Sequence, residues 1–186
     1  MKRLLTIALS LWLFAAHADK PKPEPAPGSL PELMFAPFVV GELREFLLPD
    51  APATIRDGPE DALYVAPTEN HLRDIVHFWR KNRSTTRYTS EAWDCDDAAR
   101  EFLYWARRWV AERGFPGAIL VAKAYVRLDG IYELFPSNPW ARGYHVLNLV
   151  RRADGAWLFF EPQSGVFVPV AGPIYEGSLE LMKVQY

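Results

Sequence analysis

The longest helical pattern of the sequence runs from Asp94 to Arg113 and reads DCDDAAREFLYWARRWVAER. Its apolar residues recur every three or four positions in two adjacent stripes, and so wide an apolar arc predicts a deeply buried helix. The stripes consist of Ala98, Phe102, Trp105 and Trp109, flanked by Ala99, Leu103, Ala106 and Val110. Gly114 and Pro116 follow, as expected just past a helix end.

The segments on either side of this helix predict one mixed domain. Upstream, residues 62–66 read as a strand, and Pro67-Thr68 begins a helix over residues 69–81. Downstream, strand patterns cover residues 118–127, 144–151, 156–161, 165–170 and 179–184. Helices followed by an antiparallel sheet indicate an α+β fold. We expect a single domain over residues 32–186.

The N-terminal residues predict export. Met1-Lys2-Arg3 is basic, an apolar run follows, and Ala16-His17-Ala18 matches a signal-peptidase site, so residues 1–18 are a predicted signal peptide cleaved after Ala18. Residues 19–31 contain five prolines and predict an extended spacer. No second apolar segment of membrane length follows, so we expect a secreted or periplasmic protein without stable membrane insertion.

Composition excludes some functions. The net charge is −2 and no run of Lys or Arg occurs, so nucleic acid is not an expected partner. The single cysteine, Cys95, cannot form an internal disulfide, and Cys/His spacings of structural zinc sites are absent. In an oxidising compartment an unpaired thiol is oxidised unless it is buried or used.

Cys95 falls in the first turn of the predicted helix, with Asp94 as its cap. The positive helix end favours a thiolate by about 0.3–1 kcal/mol. Asp94, Asp96 and Asp97 oppose it, because a like charge at about 5 Å and an effective dielectric constant of about 20 costs about 3 kcal/mol. A thiolate at Cys95 therefore requires a cation, either an imidazolium, a bound metal ion or both.

His145 and Glu161 are the predicted partners of Cys95. They lie on two strands joined by a turn containing Asp154-Gly155. A three-residue loop with Gly155 left-handed would pair Leu149 with Phe159 and place His145 and Glu161 on one face, within reach of each other. A two-residue loop would shift the register by one and place them on opposite faces.

Together these residues predict a nucleophilic site. A carboxylate that holds an imidazole, which in turn meets a thiol at a helix start, is a general layout for attack on an acyl carbon. In this prediction Cys95 is the nucleophile, His145 takes its proton and Glu161 fixes the imidazole tautomer. Taken singly, each residue also has an ordinary reading: a buried thiol, a core histidine and an exposed strand end.

The motifs Trp93-Asp-Cys-Asp-Asp-Ala98, Gly143-Tyr-His145 and Phe160-Glu-Pro-Gln163 resemble those of papain-like and transglutaminase-like cysteine enzymes. They are most similar to the C-terminal peptidase domain of fungal chimeric agglutinins and its bacterial relatives, over residues 63–186. The resemblance implies a papain-like fold, with the nucleophile helix packed on the antiparallel sheet, and the catalytic roles given above. The chain has no room for the sugar-binding trefoil of the agglutinins, so sugar targeting is not carried over.

Calcium activation is also what the resemblance implies, with Asp96 and Asp97 as ligands; the chemistry itself requires no cofactor. The resulting hypothesis is an exported cysteine peptidase that acts on peptide or protein substrates through a thioester. One alternative is a transglutaminase-like acyltransferase. The other is a non-catalytic exported module that binds calcium or another ligand. Residues 129–142 are expected to form a long connection at the edge of the cleft.

Overall fold

The computed structural model describes residues 31–42, 54–56, 63–83, 94–131, 140–170 and 179–186. The predicted signal peptide lies outside these ranges, as do all but the last residue of the predicted spacer. Both stay predictions, and so does the assignment of residues 32–186 to one domain.

Nine strands and three helices occur in the described ranges. The strands are β1 (Glu32–Phe35), β2 (Thr54–Arg56), β3 (Leu63–Ala66), β4 (Ala118–Ile119), β5 (Val121–Ile131), β6 (Trp140–Arg151), β7 (Trp157–Glu161), β8 (Val166–Pro169) and β9 (Leu179–Gln185). The helices are α1 (Ala36–Glu42), α2 (Glu69–Asn82) and α3 (Cys95–Glu112).

The strands form two sheets. The larger has the order β2-β9-β5-β6-β7-β8, and the smaller has the order β1-β3-β4. Neighbouring strands are antiparallel except for two pairs, β2 with β9 and β3 with β4, which are parallel. Strands β5 and β6 pair over eleven positions, from Val121 opposite Val150 to Ile131 opposite Trp140, and form the long central hairpin.

Two apolar cores lie on the two sides of the larger sheet. One core joins α2 and α3 to the sheet, and its largest members are Trp79, Phe102, Trp109 and Phe160. The other joins the opposite face to β1, β3 and α1 through residues such as Met34, Tyr64, Leu147 and Phe159. The molecule is therefore layered, with the two longer helices on one face of the sheet.

Local sequence explains both long helices. Thr68 caps α2 in a reciprocal capping box with His71, and Asp94 caps α3 by accepting from the backbone N–H groups of Asp96 and Asp97. Both helices start and end within one residue of the predicted positions, and the stripe that α2 was predicted to bury is buried. His71 lies against Trp109 and Phe115 rather than in any pair with His77.

The predicted order of elements, helices first and one antiparallel sheet afterwards, is wrong. Strands β1, β2 and β3 all precede the long helices, and two of the strand pairs are parallel. The reason is that β1 and β2 are only four and three residues long. Segments this short are stabilised by distant strands, so their own sequence carries little strand signal.

Candidate functional site

Helix α3 places Cys95 at its first residue. The Asp94 carboxylate turns toward the helix, with its Oδ1 3.0 Å from the Asp96 nitrogen and 3.2 Å from the Asp97 nitrogen. The buried Asn148 side chain of β6 donates a hydrogen bond of 3.0 Å to the Ala99 carbonyl. The cap fixes where the helix begins, and Asn148 fixes that first turn against the strand that carries His145.

The β6–β7 hairpin sets the position of the other two residues. Gly155 has a φ of +89°, the Arg152 N–H donates to the Ala156 carbonyl at 2.8 Å, and Leu149 lies opposite Phe159. Of the two loops that the sequence left open, this is the three-residue loop, with the register that it implies. His145 and Glu161 therefore meet across the hairpin, as that register requires.

The three predicted residues form one linked group. The His145 Nε2–H donates to Glu161 Oε2, and a hydrogen bond joins His145 to Cys95. Because Nε2 faces the carboxylate, Nδ1 is the ring nitrogen left for the thiol. The other Glu161 oxygen accepts from the Gln163 N–H at 2.8 Å. The side chain of Glu161 is 1% exposed and that of His145 is 16% exposed.

This arrangement keeps His145 protonated at neutral pH. Burial alone would lower the pKa of His145, but its bonds to Cys95 and Glu161 outweigh burial and raise the pKa to about 9. A buried imidazolium hydrogen-bonded to a thiol favours the thiolate. The imidazolium is thus the cation that the sequence analysis required beside Cys95.

Two acidic residues of the first turn, Asp96 and Asp97, form ion pairs with basic side chains that were not predicted from the sequence. Lys123 Nζ lies 3.0 Å from Asp96 Oδ1, and Arg100 pairs with both Asp96 and Asp97. Burial would raise the pKa of Asp96, but Lys123 and Arg100 hold it below its ordinary value. These pairs remove most of the repulsion that would otherwise oppose a thiolate at Cys95.

The ion pairs of Asp96 and Asp97 argue against the predicted calcium site. The carboxylates of Asp96 and Asp97 are directed at Arg100 and Lys123, and within the described ranges no group of three or more His, Cys, Asp or Glu side chains is arranged to hold a metal ion. The surroundings of these two residues do not fit a calcium site. The roles predicted for Cys95, His145 and Glu161 require no calcium.

Cys95 and His145 open into a cleft of about 430 Å³. Its walls come from the start of α3 and from strands β5, β6 and β9, and they are mainly apolar. Tyr144, a residue that is 76% exposed, and Met182 lie at this cleft. On the β9 side, Lys183 Nζ lies 4.6 Å from the centre of the Tyr125 ring, and the Tyr125 hydroxyl is 3.1 Å from Gln185 Oε1.

Two residues that sequence reasoning did not identify, Arg100 and Lys123, could have been found from local sequence patterns. Arg100 lies three and four positions after Asp97 and Asp96, which is the spacing of helical ion pairs. Lys123 is a charge among the apolar residues at the start of β5, and such a residue is expected to have a partner. No sequence pattern indicated that β9 would bring Met182 and Lys183 to the same cleft, because β9 pairs with β5, more than fifty residues earlier in the chain.

The predicted connection over residues 129–142 is wrong at both of its ends. Strand β5 continues to Ile131 and β6 begins at Trp140, so the first three and the last three residues of this segment belong to strands. Residues 132–139, between the two strands, lie outside the described residues, as does the segment of residues 84–93 before α3.

Comparison with known proteins places the fold. No protein-family model and no curated protein matches the chain. It is similar to a solved PSL1a–E64 complex (21% identity, TM-score 0.57, 83% of this chain and 51% of that one). It is also similar to Polyporus squamosus lectin bound to Neu5Acα2-6Galβ1-4GlcNAc (21% identity, TM-score 0.58, 83% and 49%). The chain spans about half the length of these chains, and at this identity the likeness shows the fold alone.

These findings correct the sequence-based assignment. The matching structures are those of a lectin, so the resemblance to papain-like and transglutaminase-like cysteine enzymes and the papain-like fold class are wrong. The assignment as a cysteine peptidase, a hydrolase of the thiol protease type, is overturned with them, and a peptide or protein substrate has no support. The physical reason is that a Cys, His and acid in this order recur on unrelated folds.

Among the described helices, none is both long enough and apolar enough to cross a membrane. The roles of Cys95, His145 and Glu161 stay a prediction about chemistry, although the structure brings the three side chains together.

Proposed function

We propose that the chain is an exported ligand-binding module and that the cleft beside Cys95 is its ligand site. The observation that carries this proposal is the make-up of the cleft: about 430 Å³, mainly apolar walls, and a few polar groups that converge at Cys95 and His145. Cavities of this size and composition are typical of small-molecule sites. Export rests on the predicted signal peptide of residues 1–18.

The ligand class that we propose first is carbohydrate. Tyr144 offers an exposed aromatic face on which the apolar side of a sugar ring can lie. Asp94 and Lys183 line the same cleft and can bond sugar hydroxyl groups. The glycan bound by the similar Polyporus squamosus lectin supports this ligand class.

A glycan titration tests this proposal. Calorimetry with Neu5Acα2-6Galβ1-4GlcNAc, followed by a glycan array, should detect binding that Tyr144→Ala weakens at least tenfold. Tyr104→Ala is the matched control, because Tyr104 is also exposed but lies on α3 outside the cleft. Absence of glycan binding, or equal binding by the two variants, would contradict a carbohydrate ligand at this cleft.

A second candidate is covalent capture of an electrophilic ligand, and the contacts of His145 with Cys95 and Glu161 favour it. We propose that the Cys95 sulfur attacks a strained carbon, such as that of an epoxide. A sulfur–carbon bond forms, the carbon–oxygen bond breaks, and His145 gives its proton to the resulting alkoxide. Glu161 orients the ring. The similar PSL1a structure in complex with E64, an epoxide, supports this candidate.

Intact-protein mass spectrometry tests the second candidate. Incubation with E64 should add one molecule of reagent at Cys95, and His145→Gln should slow the reaction at least tenfold. His77→Gln is the matched control, because His77 is exposed on α2 and does not line this cleft. If no adduct forms, or if His145→Gln reacts as fast as the wild type, the covalent candidate is wrong while the glycan proposal stands or falls separately.

A further inference from the structure

A second cavity, of about 510 Å³, lies beside helix α2 and shares no residue with the Cys95 cleft. Its other walls come from β7, β8 and the turn between them, together with Arg152. The apolar side chains of this cavity are Leu72, Val76, Leu158, Phe167 and Pro169. They form a surface able to cover the apolar body of a small molecule.

Positive charge lines one side of this cavity. Arg73 and Arg80 of α2 both line it, and seven residues of helix separate them by about 10 Å along the axis. Within the described ranges neither guanidinium has a carboxylate partner; Arg73 donates to the Asn70 side-chain oxygen at 2.6 Å. The third arginine, Arg152, is paired with Glu69 and Asp154.

The position of Arg80 depends on a glycine. A Cβ atom built on Gly165 would lie 2.5 Å from Arg80 Nη2, so the guanidinium lies directly against the Gly165 backbone. Gly165 is in the turn between β7 and β8, where its N–H donates to the Glu161 carbonyl at 2.7 Å. Arg80 is an exposed residue whose guanidinium contacts the Gly165 backbone at the mouth of the cavity.

We propose that this cavity binds an organic anion with an apolar body. The anionic head, a carboxylate or a phosphate, lies between Arg73 and Arg80. Both guanidinium groups can donate charge-assisted hydrogen bonds to it, which are stronger than hydrogen bonds between neutral groups. The apolar body covers the Leu72, Val76 and Phe167 side chains. This inference is independent of the function proposed for the Cys95 cleft.

Calorimetric titration with three matched probes tests the proposal: octanoate, octyl phosphate and octanol. The two anions separate the carboxylate head from the phosphate head, and octanol has the same chain without charge. At least one anion should bind at least tenfold more tightly than octanol, and its affinity should fall as salt is added. If neither anion binds, or if octanol binds as tightly, the proposal is overturned.

Four variants test whether the anion binds in the cavity beside α2. Arg73→Gln and Arg80→Gln should each weaken binding of the anion about tenfold, the effect expected for loss of one charge-assisted hydrogen bond. Arg107→Gln is the control, because Arg107 is exposed on α3 and does not line the cavity. Cys95→Ser should bind normally, which separates this site from the cleft. Equal affinity in all four variants would overturn the proposal, and thermal unfolding checks that each variant is folded.

Discussion

At the scale of single residues, His145 connects the thiol of Cys95 to the buried carboxylate of Glu161. Its pKa of about 9 is set by these two partners against the effect of burial. A histidine whose pKa is raised in the folded state stabilises that state as long as it is protonated. The titration of His145 should therefore make the free energy of unfolding depend on pH.

The first prediction concerns that dependence. The contribution of His145 is fully present below pH 6.5, the ordinary histidine pKa, and is lost as the pH rises through about 9. A shift of this size corresponds to about 3 kcal/mol, at one pKa unit per about 1.4 kcal/mol. Urea unfolding of Cys95→Ser, which removes the titration of the thiol from this pH range, should show stability falling as the pH rises above 6.5.

The control for this prediction is His145→Gln, in which that fall should be absent. His77→Gln should keep it, because His77 is exposed and outside the cleft. If stability falls in parallel with and without His145→Gln in the Cys95→Ser protein, then His145 is not an imidazolium held by Glu161.

Sequence could predict the contact between His145 and Glu161 but not the ion pairs around it. The contact follows from one local feature, the Gly155 turn, which fixes the register of the hairpin. The pairing of Lys123 with Asp96 depends on how α3 packs over β5, and twenty-seven residues separate the two partners. No local pattern encodes that packing.

At the scale of elements, the close approach of Gly117 to β3 joins the end of α3 to the smaller sheet. Gly117 has a φ of +97°, and a Cβ atom there would lie 2.4 Å from the Leu63 carbonyl oxygen. Directly after it, Ala118 pairs with Tyr64. Only glycine fits both the conformation and the space.

The second prediction follows from this close approach. Gly117→Ala should lower the free energy of unfolding by about 2 kcal/mol or more, because the backbone is strained and Leu63 must move. Gly41→Ala is the matched control. Gly41 is in helix α1 with nothing within 4 Å of a Cβ, so alanine should stabilise by about 0.5–1 kcal/mol. Equal effects of the two substitutions in urea unfolding would be inconsistent with this packing.

Elements differ in how far their sequence determines them. Helices α2 and α3 have caps and apolar stripes within their own residues, and both were predictable. Strand β2 is three residues long and pairs parallel with β9, from Thr54 opposite Lys183. Its structure depends on a strand more than a hundred residues away, so the order of elements could not be deduced.

At the scale of the whole molecule, Arg151 fastens the N-terminal segment to the central sheet. Its side chain is 7% exposed. It binds Glu42 through two nitrogens, at 2.6 and 2.9 Å, and also contacts Glu32. Strand β1 and helix α1 thus depend on one buried cation of β6.

The third prediction tests that dependence. Arg151→Met should lower the free energy of unfolding by about 1–3 kcal/mol, because the hydrogen bonds of Arg151 to Glu32 and Glu42 are lost. The loss is limited because both carboxylates are partly exposed and are hydrated again in the variant. Limited proteolysis should then cut within residues 31–42 faster than in the wild type. Arg142→Met is the control and should change stability by less than about 0.5 kcal/mol, because Arg142 and Asp129 form an exposed pair. Unchanged proteolysis in Arg151→Met would contradict this role.

The relation of the whole molecule to known folds was the least predictable feature. The motifs around Cys95, His145 and Glu161 led to a resemblance that the matching lectin structures overturn. Motifs of three or four residues describe a site, whereas the fold is defined by the pairing of all strands. Sequence therefore predicted which side chains meet better than it predicted the class of molecule that contains them.

The most direct test of the linked group Cys95–His145–Glu161 is the rate of Cys95 alkylation by iodoacetamide between pH 5 and 9. In the wild type we expect rapid alkylation that persists below pH 7, because the His145 imidazolium contacts the sulfur and activates it. In His145→Gln the rate below pH 7 should fall at least tenfold. The same rate profile in both proteins would contradict the link between the thiol and the imidazole on which the proposed site depends.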